Sequence, residues 1–265
     1  MSENSLLKET NNSIGILRFN RPEKRNALSA ELLIELHLTL KQWAEDDLVR
    51  VVIITGAPDR AFSSGYDISA IPTDLSPEAA ELLKTENPLE LALSSIRNFP
   101  YPVMAMINGY CFGAGLNLAM CCDIRVGPDH IKIGMPPAKL GAVYHPEGLR
   151  PFIEVIGMAR TREIFFTGHT YKDHETKVMG LVDRLVPADQ LLETVMEMAS
   201  EIAVNAPLSL RGMKKILNMF GDGLQLNTDD RKIAELLVYQ SFSSDDLKEG
   251  QTAFLEKRKP VFMGK

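Results

Sequence analysis

Strongly apolar stretches, each short enough for a single strand, alternate with helical segments along the first half of the chain. Three of them are VRVVIITG at 49–56, YPVMAMING at 101–109 and CDIRVG at 122–127. The first is a continuous apolar run rich in β-branched residues, which is typical of a strand buried on both faces. Strands that alternate with helices are joined by right-handed crossovers. The sequence therefore predicts a mostly parallel sheet with ligand-binding loops at the strand ends.

The remaining segments extend this outline. An alternating pattern predicts a strand at 13–20, and apolar residues at helical spacing predict a helix at about 29–46 with Ser29 as its cap. A second helix is expected at 88–99, and AFSSGYDIS at 61–69 is expected to be a polar loop. His130 is placed on a strand and given a structural role. From about residue 146 onward helices dominate, with predicted segments at 159–166, 172–179, 188–204, 206–219, 229–240 and 245–257.

Length and charge exclude several classes of function. The 265 residues, 45% of them apolar, fit one large α/β domain with a helical appendage and can build a sizeable core. A net charge of -6 without a long basic face argues against nucleic-acid binding. The polar N-terminus lacks an export signal, and no apolar run reaches the ~18 to 20 residues of a membrane span. We therefore expect a cytoplasmic protein that contacts no membrane.

The cysteines predict neither a disulfide nor a metal site. Cys111, Cys121 and Cys122 lie in an apolar stretch, without CxxC spacing or a nearby histidine pair. Free cysteine is among the most buried residue types. We expect three buried thiols and no bound metal.

Two loops that follow buried strands carry small residues where main-chain N–H groups could face a ligand. SSGYDI follows the strand at 49–56, and CFGAGLN follows the strand at 101–109. The N–H groups of Tyr66 and Ala114 could converge on one oxygen, with the dipole of the helix that begins near 114 adding positive potential. Such an arrangement is an oxyanion hole. The alternative is that Gly113 and Gly115 only allow a helix and a strand to pack closely.

Seven motifs in order identify the chain as similar to the crotonase superfamily, also called the enoyl-CoA hydratase/isomerase family. They are RPEKRNALS, AFSSGYDI, INGYCFGAGLNLAMCCDI, IGMPPAKLG, EIFFTG, GLVDRLV and EGQTAFLEKRKPVF. The resemblance implies an α/β spiral of β-β-α repeats at 1–200 and a helical C-terminal trimerisation region at 201–265. It also implies a homotrimer or a dimer of trimers. The substrate would be an acyl-CoA or acyl-carrier thioester, with its carbonyl oxygen in the hole formed by Tyr66 and Ala114. Coenzyme A or phosphopantetheine would be part of that substrate, with no separate cofactor.

The glutamates that hydrate enoyl-CoA in this family are missing. Their positions correspond to Asn117, after the glycine turn, and to Pro137. Adding water to a conjugated double bond needs a general acid and a general base, and neither an amide nor a proline exchanges protons at pH 7. The pattern instead favours a substrate that brings its own carboxylate, because loss of CO2 itself delivers the electron pair to the thioester carbonyl. An asparagine at 117 avoids the repulsion that a glutamate would exert on that carboxylate.

Within the family the resemblance is greatest to methylmalonyl-CoA decarboxylases. It covers FSSGYDI, TENPLELALSSIRNFPYPV, LGAVY and the C-terminal SSDDLKEGQTAFLEKRKPVFMGK. In those enzymes a tyrosine beside the substrate carboxylate corresponds to Tyr144. Tyr66 stands where they have a histidine, and Asn117 stands where they keep an acid. The chain departs from their pattern at these two positions.

A proton donor for the enolate carbon is sought in the loop LGAVYH. Elsewhere in the family the position of His145 carries an aspartate, so the imidazole is the first candidate, and Glu147 is an alternative as a displaced carboxylate. A helix-start glutamate is also favoured by the helix dipole alone. Two further readings stay open: a hydratase, isomerase or hydrolase that has rebuilt its acid/base pair from His145, Glu147 or a residue of the 72–90 loop, and a non-catalytic acyl-CoA-binding member.

The resemblance also implies where the nucleotide of CoA is held. The family grips it around the NALS motif, which indicates Lys24, Arg25, Ala27 and Ser64 as binding residues here. Lys257 and Lys259 correspond to positions that reach a phosphate, often that of a neighbouring subunit. Lysine and arginine suit phosphates as charge partners. The alternative for EKRK at 256–259 is a solvated charged face.

Overall fold

The computed structural model describes residues 5–57, 61–67, 87–223 and 226–264. The described strands are β1 (Leu6–Asn11), β2 (Ile14–Phe19), β3 (Val51–Gly56), β4 (Ala61–Ser63), β5 (Val103–Met106), β6 (Tyr110–Phe112), β7 (Ile124–Pro128), β8 (Lys132–Gly134), β9 (Thr170–Lys172) and β10 (Arg184–Val186). The described α-helices are α1 (Ala30–Asp46), α2 (Pro88–Asn98), α3 (Ala114–Cys121), α4 (Pro146–Thr167), α5 (Asp173–Val178), α6 (Leu191–Ala203), α7 (Pro207–Asp222), α8 (Thr228–Phe242) and α9 (Asp245–Leu255).

The strands form two sheets, of orders β1-β2-β3-β5-β7-β10 and β4-β6-β8-β9. Pairing is parallel except where β1 meets β2 and where β8 meets β9. Each of the pairs β3–β4, β5–β6 and β7–β8 gives its first strand to the six-stranded sheet and its second to the four-stranded sheet. Helices α3 and α4 follow the second and third pairs. The chain therefore winds as a spiral of β-β-α repeats, and the predicted fold class is confirmed.

The six-stranded sheet is covered on both faces, which explains its apolar runs. All six residues of β3 are buried. On one face the side chains join a large core with α1, α2 and α3, and on the other they meet Leu191, Val195 and Ala199 of α6. A strand packed on both sides cannot alternate polar and apolar residues. The continuous run at 49–56 is the consequence.

Several short or exposed strands differ from the sequence predictions. The segment at 61–69, expected to be a loop, begins with β4, and the polar N-terminal segment contains the edge strand β1, whose side chains are mostly exposed. His130 lies in a turn between β7 and β8, not on a strand, and its ring is exposed. Three-residue strands and solvent-facing edges carry too little periodicity to be read from sequence.

The long helix before the C-terminal region begins earlier than predicted. α4 starts at Pro146, not near 159, and contains a break at Gly157, whose φ of 76° is unavailable to most residues. Pro146 stands at the first helical position, where the missing N–H costs nothing. The break at Gly157 divides the apolar pattern of this helix, so only its second half was read as helical.

The C-terminal helices pack back onto the segment that follows β8. The Ser241 hydroxyl of α8 accepts from the N–H of Val143 at 2.7 Å and donates to the carbonyl of Gly141 at 3.2 Å. A Cβ on Gly250 of α9 would lie 2.5 Å from the carbonyl oxygen of Leu140, so only glycine fits there. α8 and α9 thus cover residues 140–147 of their own chain. The division into a core at 1–200 and a trimerisation region at 201–265 stays a prediction.

Two further expectations can be compared with the described residues. Cys111 and Cys122 are buried, Cys121 is half-buried, and all three are free thiols. Burial raises the pKa of Cys121 to about 12, so this thiol is a poor nucleophile at neutral pH.

Among the described helices, none combines the length and the apolar character needed to cross a membrane.

Candidate active site

The main-chain N–H groups of Tyr66 and Ala114 are both left without a main-chain acceptor in the described part of the chain. Leu28 pairs with the residues on either side of Tyr66, receiving the N–H of Asp67 and donating to the carbonyl of Gly65, so the N–H of Tyr66 points away from that pairing. Ala114 is the first residue of α3, where an N–H has no intrahelical partner. Both donors are available to a ligand oxygen.

Glycines bring these two donors close together. A Cβ on Gly65 would lie 3.6 Å from the nitrogen of Ala114, and one on Gly115 would lie 2.6 Å from the Cβ of Ser63. Gly113 adopts φ 53° and ψ -124°, a conformation that a side chain would strain. The two readings of the glycine turn are therefore compatible, since the packing of α3 against Ser63 of β4 also brings Gly65 close to the nitrogen of Ala114.

Asn117 lies one turn after Ala114 on α3 and is fully buried. Its Nδ2 donates to the carbonyl of Gly148 at 3.0 Å, and its Oδ1 has no partner among the described residues. A Cβ on Gly148 would lie 3.0 Å from that Oδ1 and 2.7 Å from the ring of Tyr144. The amide therefore ties α3 to the start of α4. A carboxylate could not donate this bond and would have to be buried as an anion.

Tyr144 lies just before α4, with its ring edge-on to Phe165 at a centroid distance of 5.4 Å. The ring is half-buried against Gly148. Burial raises the pKa of the Tyr144 phenol, so it keeps its proton at neutral pH and is a hydrogen-bond donor. The described residues include no hydrogen-bond partner for this hydroxyl.

His145 stands at the N-cap of α4 and contacts two carboxylates through one ring nitrogen. Its Nδ1 lies 2.5 Å from Oε2 of Glu147 and 3.2 Å from Oε1 of Glu90, which comes from the first turn of α2. Oε1 of Glu147 lies 2.6 Å from Nη1 of Arg231, in the first turn of α8. These four residues, Glu90, His145, Glu147 and Arg231, form what we call the acid–base cluster.

The pKa values in the cluster follow from these contacts. The hydrogen bond to Glu147 raises the pKa of His145, and the same bond lowers the pKa of Glu147 to about 2. Burial raises the pKa of Glu90. Near neutral pH the imidazole is thus biased toward its protonated form, with Nδ1 engaged and no described residue bonded to Nε2. An imidazolium in this state can donate a proton from Nε2.

The spacing of the cluster also resembles that of a metal site. Ligand atoms of Glu90, His145 and Glu147 lie within 4.8 Å of one another. One oxygen of Glu147 is already paired with the guanidinium of Arg231, whose positive charge opposes a cation at this point. The contacts favour an ion-pair network, and the absence of a resident metal stays a prediction.

The residues expected to hold the nucleotide lie together beside Tyr66. The hydroxyl of Ser64 donates to the carbonyl of Lys24 at 3.2 Å, and its N–H donates to the carbonyl of Arg25 at 3.0 Å. The Ala27 carbonyl accepts from Arg21 at 2.7 Å. Lys24 also lies 3.2 Å from Asp67. The side chains of Lys24 and Arg25 are exposed and available to a phosphate.

The two C-terminal lysines are not joined to this group. Lys257 and Lys259 are exposed, and no hydrogen bond or ion pair among the described residues links either of them to Lys24, Arg25 or Ser64. Arg258, between them, is engaged with Glu249 and Glu256. A phosphate contact of Lys257 or Lys259 stays a prediction.

Sequence reasoning did not identify Glu90 or Arg231. Glu90 falls within the 72–90 loop proposed as a source of acid/base groups, of which residues 72–86 lie outside the described residues. Arg231 is separated from Glu147 by 84 positions. One feature of the sequence could have indicated Arg231. It is a cation in the first turn of a helix, where the helix dipole disfavours positive charge.

Comparisons with known proteins agree with this geometry. Residues 9–265 match the family model described as enoyl-CoA hydratase/isomerase. The short-chain-enoyl-CoA hydratase of Clostridium acetobutylicum is 30% identical, over 98% of this chain and 97% of that protein. A structure of methylmalonyl-CoA decarboxylase in complex with 2-nitronate-propionyl-CoA superposes with a TM-score of 0.90 at 26% identity, covering both chains in full. An enoyl-CoA hydratase/carnithine racemase from Magnetospirillum magneticum gives 0.78 at 31% identity, covering 100% of this chain and 97% of that one.

Proposed function

The chain belongs to the enoyl-CoA hydratase/isomerase family of acyl-CoA enzymes, and from that premise we propose that it decarboxylates a carboxylated acyl-CoA similar to methylmalonyl-CoA. The observation that carries the proposal is Asn117: a buried amide follows the two free N–H donors where a hydratase has a carboxylate. The likeness to methylmalonyl-CoA decarboxylase in overall shape supports it.

The reaction needs no general base in this proposal. The thioester oxygen accepts hydrogen bonds from the N–H groups of Tyr66 and Ala114. The bond between the α-carbon and the carboxylate then breaks, CO2 leaves, and its electron pair forms an enolate whose oxygen is stabilised by those donors. One such donor is worth ~3 to 4 kcal/mol of transition-state stabilisation. Coenzyme A or phosphopantetheine is required only as part of the substrate.

Two side chains complete the cycle. The Tyr144 phenol, protonated and without a described partner, donates to the substrate carboxylate and keeps it out of the thioester plane. After CO2 has left, the enolate carbon takes a proton from Nε2 of His145, whose positive charge is favoured by Glu147. Burial also raises the pKa of the Tyr66 phenol, so it remains an uncharged donor.

A second candidate, hydration or isomerisation of an enoyl thioester, is favoured by the acid–base cluster. His145 contacts both Glu147 and Glu90, so an imidazole and two carboxylates are within proton-transfer reach of each other. A general acid and a general base are what water addition requires. The similarity to short-chain-enoyl-CoA hydratase agrees with this candidate as well.

The test is CO2 release with product mass spectrometry from the purified protein. The thioesters would be malonyl-, methylmalonyl-, ethylmalonyl- and glutaconyl-CoA, each also on a carrier protein, with crotonyl-CoA as the hydratase substrate. We expect CO2 release and no hydration. Hydration of crotonyl-CoA without CO2 would move the assignment to the second candidate. Thioester binding without turnover of any substrate would indicate that the protein is a non-catalytic, acyl-CoA-binding member of the family.

Tyr144→Phe tests the carboxylate contact. The variant keeps the ring that packs on Phe165 and removes only the hydroxyl, so we expect an unchanged melting temperature and a fall in kcat of roughly tenfold or more, the scale of one lost hydrogen bond to a charged group. Tyr171→Phe is the matched control, because Tyr171 lies on the edge strand β9 and its hydroxyl donates to Glu163 of α4. Equal losses in both variants would remove Tyr144 from the mechanism.

A further inference from the structure

The acid–base cluster is assembled from three separate elements of one chain. Glu90 comes from the start of α2, His145 and Glu147 come from the start of α4, and Arg231 comes from α8 in the C-terminal helical region. Only Arg231 lies outside the spiral of strands and helices that carries the oxyanion donors. A proton donor of the core therefore depends on a contact made by the C-terminal helices.

Each oxygen of Glu147 has its own partner. Oε2 accepts from Nδ1 of His145 and Oε1 accepts from Nη1 of Arg231 at 2.6 Å. A carboxylate held at both oxygens cannot rotate away from either partner. Since Nδ1 is the ring nitrogen engaged, the imidazole is turned so that Nε2 is the nitrogen left for a substrate.

Although Arg231 lies in the first turn of α8, carboxylates favour its charge: Glu147 of α4 most of all, then Glu235 of its own helix and Glu90 of α2. The first turn of a helix exposes N–H groups and repels a cation. Asp229 and Asp230, in the same turn, offset part of that repulsion. The guanidinium nonetheless reaches away from its own helix to the start of α4.

We propose that Arg231 is the positioning residue of the proton donor: by holding Glu147 it fixes the imidazole of His145, so that the acid–base group is assembled only when α8 is packed over the site. The role of His145 as the proton donor rests on the proposed function. The positioning itself is a property of the free protein and can be measured without turnover.

Removing Arg231 can change the pKa of His145 in either direction, because several charges surround the imidazole. Glu90 from α2, Glu147 from its own helix and Glu235 from α8 all raise the pKa of His145, the hydrogen bond to Glu147 most of all. Loss of the Arg231 charge alone would raise that pKa further. Release of Glu147 from His145 would lower it. The two effects are opposite in sign, so a net fall in the pKa requires that Arg231 acts mainly by holding Glu147.

The experiment is an NMR titration of the full-length protein with isotope-labelled histidine. The chain has five histidines, and the signal missing from His145→Gln identifies the one of interest. In Arg231→Gln we expect the pKa of His145 to fall by about one unit, the size of one lost charge-assisted hydrogen bond. Arg231→Lys keeps the charge and should retain most of the wild-type value.

Arg211→Gln is the matched control. Its guanidinium is 39% exposed, as is that of Arg231, and it makes one ion pair, with Asp47, from the neighbouring helix α7. We expect no change in the pKa of His145. An equal fall in this control, or a pKa in Arg231→Gln that is unchanged or raised, would overturn the proposal.

A double variant tests whether Arg231 acts through Glu147. Glu147→Gln should lower the pKa of His145, and adding Arg231→Gln to it should cause no further fall, because only the direct effect of the lost Arg231 charge remains and that effect raises the pKa. A further fall as large as that caused by Arg231→Gln alone would show that Arg231 does not act through Glu147, against the proposal. If wild type releases no CO2 from any thioester, the proposed function fails while the titration still decides the role of Arg231. If CO2 is released but the titration gives the opposite sign, only the positioning role fails.

Discussion

At the scale of single residues, Asn117 shows how one amide can serve both structure and chemistry. It is buried, it donates to the carbonyl of Gly148 and, in the proposed decarboxylation, it places no anion beside the substrate carboxylate. A glutamate at this position would remove the bond and add a buried charge. A glutamate at this position would therefore disturb the junction of α3 and α4.

Asn117→Asp should destabilise the protein in a way that depends on pH. The variant keeps the volume, loses the Nδ2 donor and buries a carboxyl group, whose folded-state pKa burial would raise. The deficit should be smallest at about pH 3, below the unfolded-state pKa of about 3.9, where the carboxyl is protonated in both states, and should grow as pH rises above that. We expect about 2 to 4 kcal/mol at pH 7, measured by urea unfolding.

The control for this substitution is Asn98→Asp. Asn98 is exposed at the end of α2 and bonds only to the Ser94 hydroxyl. Its unfolding free energy should change by less than about 0.5 kcal/mol at either pH. A deficit in Asn117→Asp that stays constant from pH 4 to pH 8 would contradict a buried carboxyl.

His145 and Glu147 should stabilise the fold only within a window of pH. The pKa of His145 is raised in the folded state, so its contribution is fully present below about pH 6.5, the unfolded value, and is lost as pH rises through the folded value. The pKa of Glu147 is lowered to about 2, so its contribution is present above about pH 4.3 and is lost as pH falls toward 2. His145→Gln should therefore lower the unfolding free energy most between these limits.

Urea unfolding at pH 3, 5.5 and 9 checks this window. The difference between wild type and His145→Gln should be largest at pH 5.5. His130→Gln is the control, because that ring is exposed and pairs only with Asp129. A difference that is largest at pH 9 would mean that the His145 imidazole is stabilised in its neutral form.

At the scale of elements, the oxyanion donors depend on how closely α3 packs on β4. Gly115→Ala would place a Cβ 2.6 Å from the Cβ of Ser63, so α3 must move away and take the N–H of Ala114 with it. A displacement near 1 Å costs roughly 100-fold in rate. We expect a loss of that order in kcat/KM for the best thioester, with a folded circular dichroism spectrum.

Gly212→Ala is the control for Gly115→Ala, because it adds the same methyl group to a helix without a clash. Gly212 lies inside α7, and a Cβ there meets nothing within 4 Å in this chain. Alanine should stabilise the helix by roughly 0.5 to 1 kcal/mol and leave the rate unchanged. Full activity in Gly115→Ala would show that the distance between α3 and β4 does not align the donors.

The elements that sequence predicted are those whose own residues determine them. β3 and β5 were predicted because strands buried on both faces must be apolar throughout, and α1 because Ser29 caps a long amphipathic pattern. β4 was not, since three residues cannot show a period. The Tyr66 and Ala114 donors were likewise proposed from two local turns. The contact of Arg231 with Glu147 was not, because it depends on where α8 packs.

At the scale of the whole molecule, the C-terminal helices contact their own core on one side and expose an apolar face on the other. α8 supplies Arg231 to the site, and α7 is anchored by Lys214, whose Nζ lies 2.7 Å from Oδ2 of Asp123. The outer side of α7 is apolar at helical spacing. Its exposed residues include Met213, Ile216, Leu217 and Phe220. Exposed apolar stripes of this kind mark protein interfaces.

We propose that this stripe is covered by further copies of the chain, in the trimer or dimer of trimers that the family resemblance implies. The full-length protein should then have a molar mass of three or six times 29.5 kDa by sedimentation equilibrium. Ile216→Glu combined with Phe220→Glu places two carboxylates on the stripe and should give a smaller species at the same concentration, because a charge buried at an interface without a partner is costly.

Leu48→Glu is the control, since Leu48 is an isolated exposed apolar residue between α1 and β3. It should leave the molar mass unchanged. The same variants test whether Lys257 or Lys259 reaches the phosphates of a neighbouring copy. If so, the dissociated Ile216→Glu/Phe220→Glu variant should bind CoA more weakly than Leu48→Glu does. None of these substitutions lies among the residues around Lys24. A wild-type protein that sediments at 29.5 kDa would contradict the assembly, and the two lysines would then have to bind phosphate within their own chain or not at all.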